Sequence, residues 1–198
     1  METELLLLNA ARKMDKDALV KIFDLYASPL YNYAFRLCGD PSLADHIVGD
    51  VFAKLLDQLA SGHGPKSNLR SYLYETAYHM FIDETRSSRR KAPLEALTSL
   101  RQNVRSGSLS LEERIMFETA LDTIQHDLTD DQRHVIILRF LEEFSLRETA
   151  TILGKEVTHI KVIQTRAIAK LRKVFQSRDL RAAMSSPRVE ELSPAPRI

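Results

Sequence analysis

Residues 130–175, DDQRHVIILRFLEEFSLRETATILGKEVTHIKVIQTRAIAKLRKVF, carry the reading on which the rest of the chain depends. Asp131 to Leu141 places Val135, Ile136, Leu138 and Leu141 on one apolar stripe, which predicts a helix. Ser145 can accept from the third residue of the next helix, and Glu148 can reach back, so the pair forms a capping box. That helix, Leu146 to Leu153, runs into Gly154, which tolerates the left-handed conformation of a tight helix end. A third helix follows over about Val157 to Phe175. Two helices joined by a short glycine turn make a helix-turn-helix, whose second helix fits the major groove of duplex DNA.

The third helix divides its faces. Ile160, Ile163, Ala167, Leu171 and Val174 fall together and are expected in the core. Thr158, Val162, Thr165, Ala169 and Arg172 lie opposite, flanked by Lys161 and Arg166. Lys155, Lys170 and Lys173 add positive charge against Glu156 alone. Cations attract phosphates, while threonine and valine suit base edges and thymine methyls. A solvated basic helix that merely closes a small bundle would share the spacing. The capping box, the glycine turn, the split face and the local charge together favour DNA binding.

Upstream, the pattern is also helical. A segment over Glu2 to Met14 is followed by Asp15 as an N-cap for a helix through about Ala27. Pro29 suits the start of another helix, with Leu30, Tyr33, Ala34 and Leu37 on one face. Gly39-Asp40-Pro41-Ser42 reads as a turn. Ala44, Ile47, Val48, Val51, Phe52, Leu55, Leu56 and Leu59 keep helical rhythm until Ser61-Gly62-His63-Gly64-Pro65 breaks it. A further helix spans about Asn68 to Arg89. There Tyr72, Leu73, Ala77, Met80 and Phe81 interleave with Arg70, Arg86, Arg89, Arg90 and Lys91, which suits unpaired bases and their backbone. Core packing is the plainer role for each of Tyr72, Tyr74, Tyr78 and Phe81 taken singly.

Lys91 to Ser110, with Pro93, Gly107 and several serines, reads as a linker. The tail beyond Ser177 holds Pro187, Pro194 and Pro196 without periodicity and reads as disordered. The expected architecture is all-α, with two small helical domains on a flexible linker: 1–90, linker 91–110, helix-turn-helix domain 111–176 and tail 177–198.

Composition sets bounds. A net charge of +1 makes any nucleic-acid surface a local patch. The single cysteine, Cys38, excludes an internal disulfide and a cysteine zinc site, and reads as a buried thiol. The apolar run Leu5 to Leu8, which no other run exceeds, is too short to span a membrane and lacks a basic lead-in. The cytoplasm is the expected location. Glu75, His79 and Asp83 share a helix side, yet no second helix offers matching ligands, and His126 beside Asp122 reads likewise as a surface pair. No catalytic triad or phosphate loop can be assigned, so no metal, cofactor or enzymatic activity is expected.

These residues resemble a known family. Ile22 to Tyr26, Tyr33 to Asp40, Ala44 to Leu56, and Leu69 to Tyr74 continuing through Ala77 and Asp83 to Arg90 resemble region 2 of the extracytoplasmic-function sigma factors. Ala120 to Thr129, Gln132 to Val135, Arg139 to Leu141 and the helix-turn-helix from Ser145 to Arg172 resemble region 4. The resemblance implies a protein that binds core RNA polymerase, directs it to promoters and helps open the duplex. It implies −35 contacts from Lys155, Thr158, His159, Lys161, Val162, Thr165 and Arg166, with the element held as duplex. It implies −10 contacts, to a single strand, from Asn68, Arg70, Tyr72, His79, Arg86, Arg89 and Arg90. It implies polymerase docking through Asp45, His46, Gly49, Asp50 and Lys54, and an anti-sigma protein as a possible partner. The family usually carries an acidic residue where His46 stands, a glutamine where Gly49 stands and a tryptophan where Tyr72 stands. The rivals are a dimeric helix-turn-helix regulator, for which no dimerisation heptad is seen, and a sigma-like interaction module that does not initiate transcription.

Overall fold

The order of helices follows from a series of local stops and starts along the chain. The computed structural model describes residues 2–91, 124 and 126–185, with side chains at 4–86, 124 and 126–176. Of the residues expected to form the linker, Lys91 belongs to a helix, while 92–110 lie outside the described set, as do those of the tail beyond 185.

Helix α1 (Glu2–Ala11) ends before Asp15, whose carboxylate accepts from the Ala18 amide at 2.9 Å and so starts α2 (Lys16–Cys38). One correction arises here. The expected break between Ala27 and Pro29 is absent, and α2 runs unbroken through Pro29. A proline inside a helix costs about 3 kcal/mol. Ile22, Leu30, Tyr33, Ala34 and Leu37 nonetheless form one buried stripe along α2, and each of Ile22, Leu30 and Leu37 returns roughly 1.5–3 kcal/mol on burial. The tertiary gain therefore outweighs the local break.

Gly39 caps α2 with φ +69°, its amide bonded to the Phe35 carbonyl at 2.8 Å. Asp40 then caps α3 (Pro41–Ala60) through bonds from the Ser42 and Leu43 amides, with Pro41 at the first helical position. The expected turn is confirmed, and α3 buries Ala44, Ile47, Val48, Val51, Phe52, Leu55 and Leu59. Helix α4 (Leu69–Lys91) completes the first domain, burying Leu69, Leu73, Tyr74, Ala77 and Phe81.

In the second domain, described residues before Thr129 include helical Ile124 and His126, and α5 (Asp130–Ile136) follows, capped by a Thr129–Gln132 capping box that the sequence reading passed over. The chain then departs from expectation. Ile137–Leu141 is a π-helical turn, in which the Glu142 amide bonds the Ile137 carbonyl at 2.9 Å. Glu143 follows at φ +56°, a left-handed conformation uncommon outside glycine. Helix α6 (Leu146–Ile152) carries the expected Ser145–Glu148 box, and Gly154 takes φ +59°. Hydrogen bonds from Ser145 hold the Glu148 carboxyl below its usual pKa.

Helix α7 (Val157–Ser185) continues past the boundary expected near Gln176. Residues 178–184 include Arg, Leu, Ala and Met, all good helix formers, and Pro187 lies just beyond the helix. Ile160, Ile163 and Ala167 are buried as expected, whereas Leu171 and Val174 are half-buried. No strand occurs among the described residues, and no helix among them is long and apolar enough to cross a membrane.

Candidate nucleic-acid and protein interfaces

Three surfaces and one seam concentrate the polar chemistry. The first surface is the outer face of α7. Burial of Ile160, Ile163 and Ala167 against α5 and α6 turns Thr158, His159, Lys161, Val162, Thr165 and Arg166 to solvent. Val162 is 45% exposed, an apolar side chain left open in the middle of this basic face. The Thr165 hydroxyl donates to the Lys161 carbonyl at 2.9 Å, and the residue is exposed. Lys155 stands apart from the other six: it is half-buried and ion-paired with Asp131 at 3.1 Å.

The second surface is the outer side of α4 with the loop before it. Asn68 is exposed at φ +53°, one residue ahead of the helix. His79 and Arg86 are exposed, while Tyr72 is half-buried and packs on the core. Arg89 and Arg90 fall within α4, but their side chains lie outside the described set. Arg70 is not free. Its guanidinium is taken up by the seam described below.

The third surface is the outer face of α3. Asp45, His46, Gly49, Asp50 and Lys54 are all exposed, because the opposite side of the helix is the core stripe. His46 Nε2 lies 3.4 Å from Asp50 Oδ2, one helical turn away. A side chain added at Gly49 would meet nothing within 4 Å. Nearby, an apolar groove of about 390 Å³ runs between α2 and α3, lined by Leu19, Val20, Phe23, Phe52 and Leu56. Sequence reading placed Leu56 in the α3 stripe; it is exposed at the edge of this groove.

The seam joins the two domains, and sequence reasoning missed all of its second-domain members. The His134 ring, fully buried, enters a pocket of the first domain between Tyr33, Tyr78 and Phe81. The Tyr33 hydroxyl and His134 Nδ1 share a hydrogen bond of 3.0 Å, while Nε2 has no partner among the described residues. Burial first, then the charges of Arg133 and Lys155, push the His134 pKa down to about 3. Arg133 donates to the Leu37 carbonyl at 2.7 Å.

Glu142, 7% exposed, meets three first-domain side chains. Arg36 Nη1 donates to Oε1 at 3.0 Å, the Tyr74 hydroxyl donates to Oε2 at 2.5 Å, and Arg70 Nη2 lies 4.0 Å from Oε2. Arg70 also donates to the Glu142 carbonyl and stacks over Phe144, 4.0 Å from the ring centroid. The sequence did hold a signal. His134 directly precedes the apolar run Val135 to Leu138, and Glu142 sits between Leu141 and Phe144. Polar groups in such settings are either exposed by a bend or held by a partner.

Cys38 is half-buried, and its thiol donates to the Asp40 carbonyl at 3.3 Å. Burial raises its pKa, which agrees with an inert structural thiol. Glu75, His79 and Asp83 form no metal-binding group, and none of three or more such residues is found among the described residues.

Comparison with known proteins places these features in a wider set. Residues 22–91 match the family model for Sigma-70 region 2, and residues 126–173 match that for Sigma-70 region 4. The ECF RNA polymerase sigma factor SigW of Bacillus subtilis is 30% identical over 179 residues, covering 85% of this chain and 94% of SigW. The ECF RNA polymerase sigma factor BldN of Streptomyces coelicolor is 26% identical over 171 residues, and the match spans 64% of its length. Among solved structures, the sigma factor RpoE of Bartonella quintana, in complex with the anti-sigma factor NepR, is similar with a TM-score of 0.63 and 25% identity. That match covers 79% of this chain and 95% of RpoE. CnrH, in complex with the cytosolic domain of CnrY, shares the fold with a TM-score of 0.62 at 19% identity.

Proposed function

Since the chain belongs to the extracytoplasmic-function family of RNA polymerase sigma factors, we propose that its three surfaces divide the work of promoter recognition. The outer face of α7 reads the −35 element as duplex. Arg166 and Lys161 hold phosphates, and Val162 with the Thr165 methyl meets base edges. The α4 surface with Asn68 holds the −10 element as a single strand, stacking on Tyr72 and neutralised by Arg70, Arg86, Arg89 and Arg90. The outer face of α3, with Asp45, His46, Gly49, Asp50 and Lys54, docks on core polymerase. The chain supplies specificity and carries no chemistry of its own. It works where polymerase works, in the cytoplasm, and an anti-sigma protein is a further partner class.

The observation that carries this reading is the exposure of both outer faces on one chain. Six of the seven residues assigned to duplex reading are in solvent, as are all five assigned to polymerase docking. A duplex-binding regulator that acts without polymerase has no need of the second face. The test pairs co-elution of the chain with core polymerase and run-off transcription from a genomic promoter library. Co-elution with specific transcripts is the expected result. Co-elution without transcripts would leave an interaction module, and duplex binding without co-elution would leave a stand-alone regulator.

A further inference from the structure

The geometry points to Glu142 as a latch that closes the free chain by occupying the first domain's Arg36 and Arg70. The carboxylate comes from the second domain, while each of its three partner side chains comes from the first. Two cations and a phenol converge on one carboxylate. Both carboxylate oxygens and the Glu142 backbone carbonyl are engaged. A carboxylate buried to this degree persists only with charge-assisted bonds of this kind.

The backbone supports the assignment. The π-helical turn ends at Glu142, and the left-handed Glu143 follows it. Both distortions flank a residue whose carboxylate reaches across the seam. Such turns cluster at functional positions in helices. Phe144, next in the chain, packs edge-on against Tyr74 with centroids 4.9 Å apart and lies beneath Arg70. The same short segment therefore fixes Arg70 by charge on one side and by ring stacking on the other.

Arg70 then has two claims on it. The strand role proposed above requires its guanidinium for a phosphate, and the latch gives it to a carboxylate. A guanidinium binds both anions through the same kind of donor, so a carboxylate that holds Arg70 competes with a phosphate for it. Glu142 acts as an internal competitor of the single strand. This reading rests on the proposed function only for the identity of the competitor; the latch itself concerns the free chain.

The test separates these two parts. Small-angle scattering of the full chain, without polymerase or DNA, compares the parent with Glu142→Ala and with Arg36→Gln, each checked for parental helicity by circular dichroism. Separating two domains enlarges the radius of gyration, and a rise of roughly a quarter is expected in each variant. The pair Arg36→Glu with Glu142→Arg restores the ion pair in reverse and returns the radius to the parent's value. An unchanged radius in whichever single variant keeps its helicity overturns the latch. Loss of helicity in Glu142→Ala alone leaves Arg36→Gln to decide. In parallel, a fluorescent single-stranded oligonucleotide bearing a −10 sequence is titrated into each protein. Tighter binding by Glu142→Ala and weaker binding by Arg70→Ala are expected, each by at least several-fold. Expansion without any change in strand affinity supports the latch and removes Arg70 from the strand. An unchanged radius with weakened strand binding by Arg70→Ala overturns the latch and leaves the strand role intact.

Discussion

At the scale of single residues, His134 and Arg166 make contrasting predictions. His134 is surrounded by Tyr33, Tyr78 and Phe81, with Arg133 and Lys155 as the nearby charges. Its pKa falls from the ordinary 6.5 to about 3 in the folded chain. The unfolded chain thus binds the extra proton first, so stability is full above pH 6.5 and declines as pH falls towards 3. From pH 7.5 to 5 this single group should remove roughly 2 kcal/mol. Urea titrations at the two pH values measure it. His134→Phe should flatten that dependence, even though it forfeits the Tyr33 bond. A slope equal to the parent's would assign the effect to another group.

Arg166 is exposed, so its removal should leave the fold alone. Arg166→Ala should weaken duplex binding to −35 DNA at every salt concentration and reduce the salt slope by about 1. Footprinting across a salt series checks both numbers, and an unaltered footprint would move the duplex contact off this face.

At the scale of elements, α3 shows what a helix with two duties can and cannot change. Its inner stripe is fixed by the core, while Gly49 and its neighbours on the outer face are free of packing constraints. Gly49→Gln should therefore raise stability by about 0.5–1 kcal/mol through helix propensity alone. Asp50→Arg should barely alter the circular dichroism melt, since a surface charge swap costs under about 0.5 kcal/mol. It should nevertheless abolish capture of core polymerase, because like charges opposed at a docked interface cost several kcal/mol. A folded Asp50→Arg chain that still captures polymerase would show that α3 is not the docking helix.

The same scale shows what could be read from sequence. The helix-turn-helix was legible because its signals are local: a serine and a glutamate three apart, and a glycine after the last apolar residue. The turn at Gly39 to Ser42 was legible for the same reason. Pro29 misled because its penalty is local, while the stripe that offsets it extends over four turns. The π-helical turn left no signal in the local periodicity, which runs through Ile137–Leu141 as an ordinary helix would. The partners of Glu142, at Arg36, Arg70 and Tyr74, lie between 68 and 106 positions away, and no periodicity reaches that far. Arg70 was picked out as functional, but for a role that the folded chain shares with Glu142.

At the scale of the whole molecule, the seam changes what proteolysis should reveal. The composition of residues 91–110 predicts a cleavage site, with products near 1–90 and 111–176 on a denaturing gel. Under native conditions at low salt, the two products should elute together. His134, Phe144 and the Glu142 cluster hold them without help from the connecting chain. Glu142→Ala should let the products separate on the same column. Immediate separation of the parent's products would mean that the covalent connection, and not the seam, keeps the domains close.

If the two surfaces take DNA as proposed, the difference between the open α7 face and the engaged Arg70 has a temporal meaning. Arg166, Lys161 and Val162 stand open while Arg70 is occupied. The closed chain is equipped to find a duplex site before it is equipped to keep a melted one. Scanning and melting would then be successive duties of the same molecule. A chain wandering over the genome would carry the means to pause at a promoter, while the part of strand capture that needs Arg70 would wait until something else had pulled the domains apart.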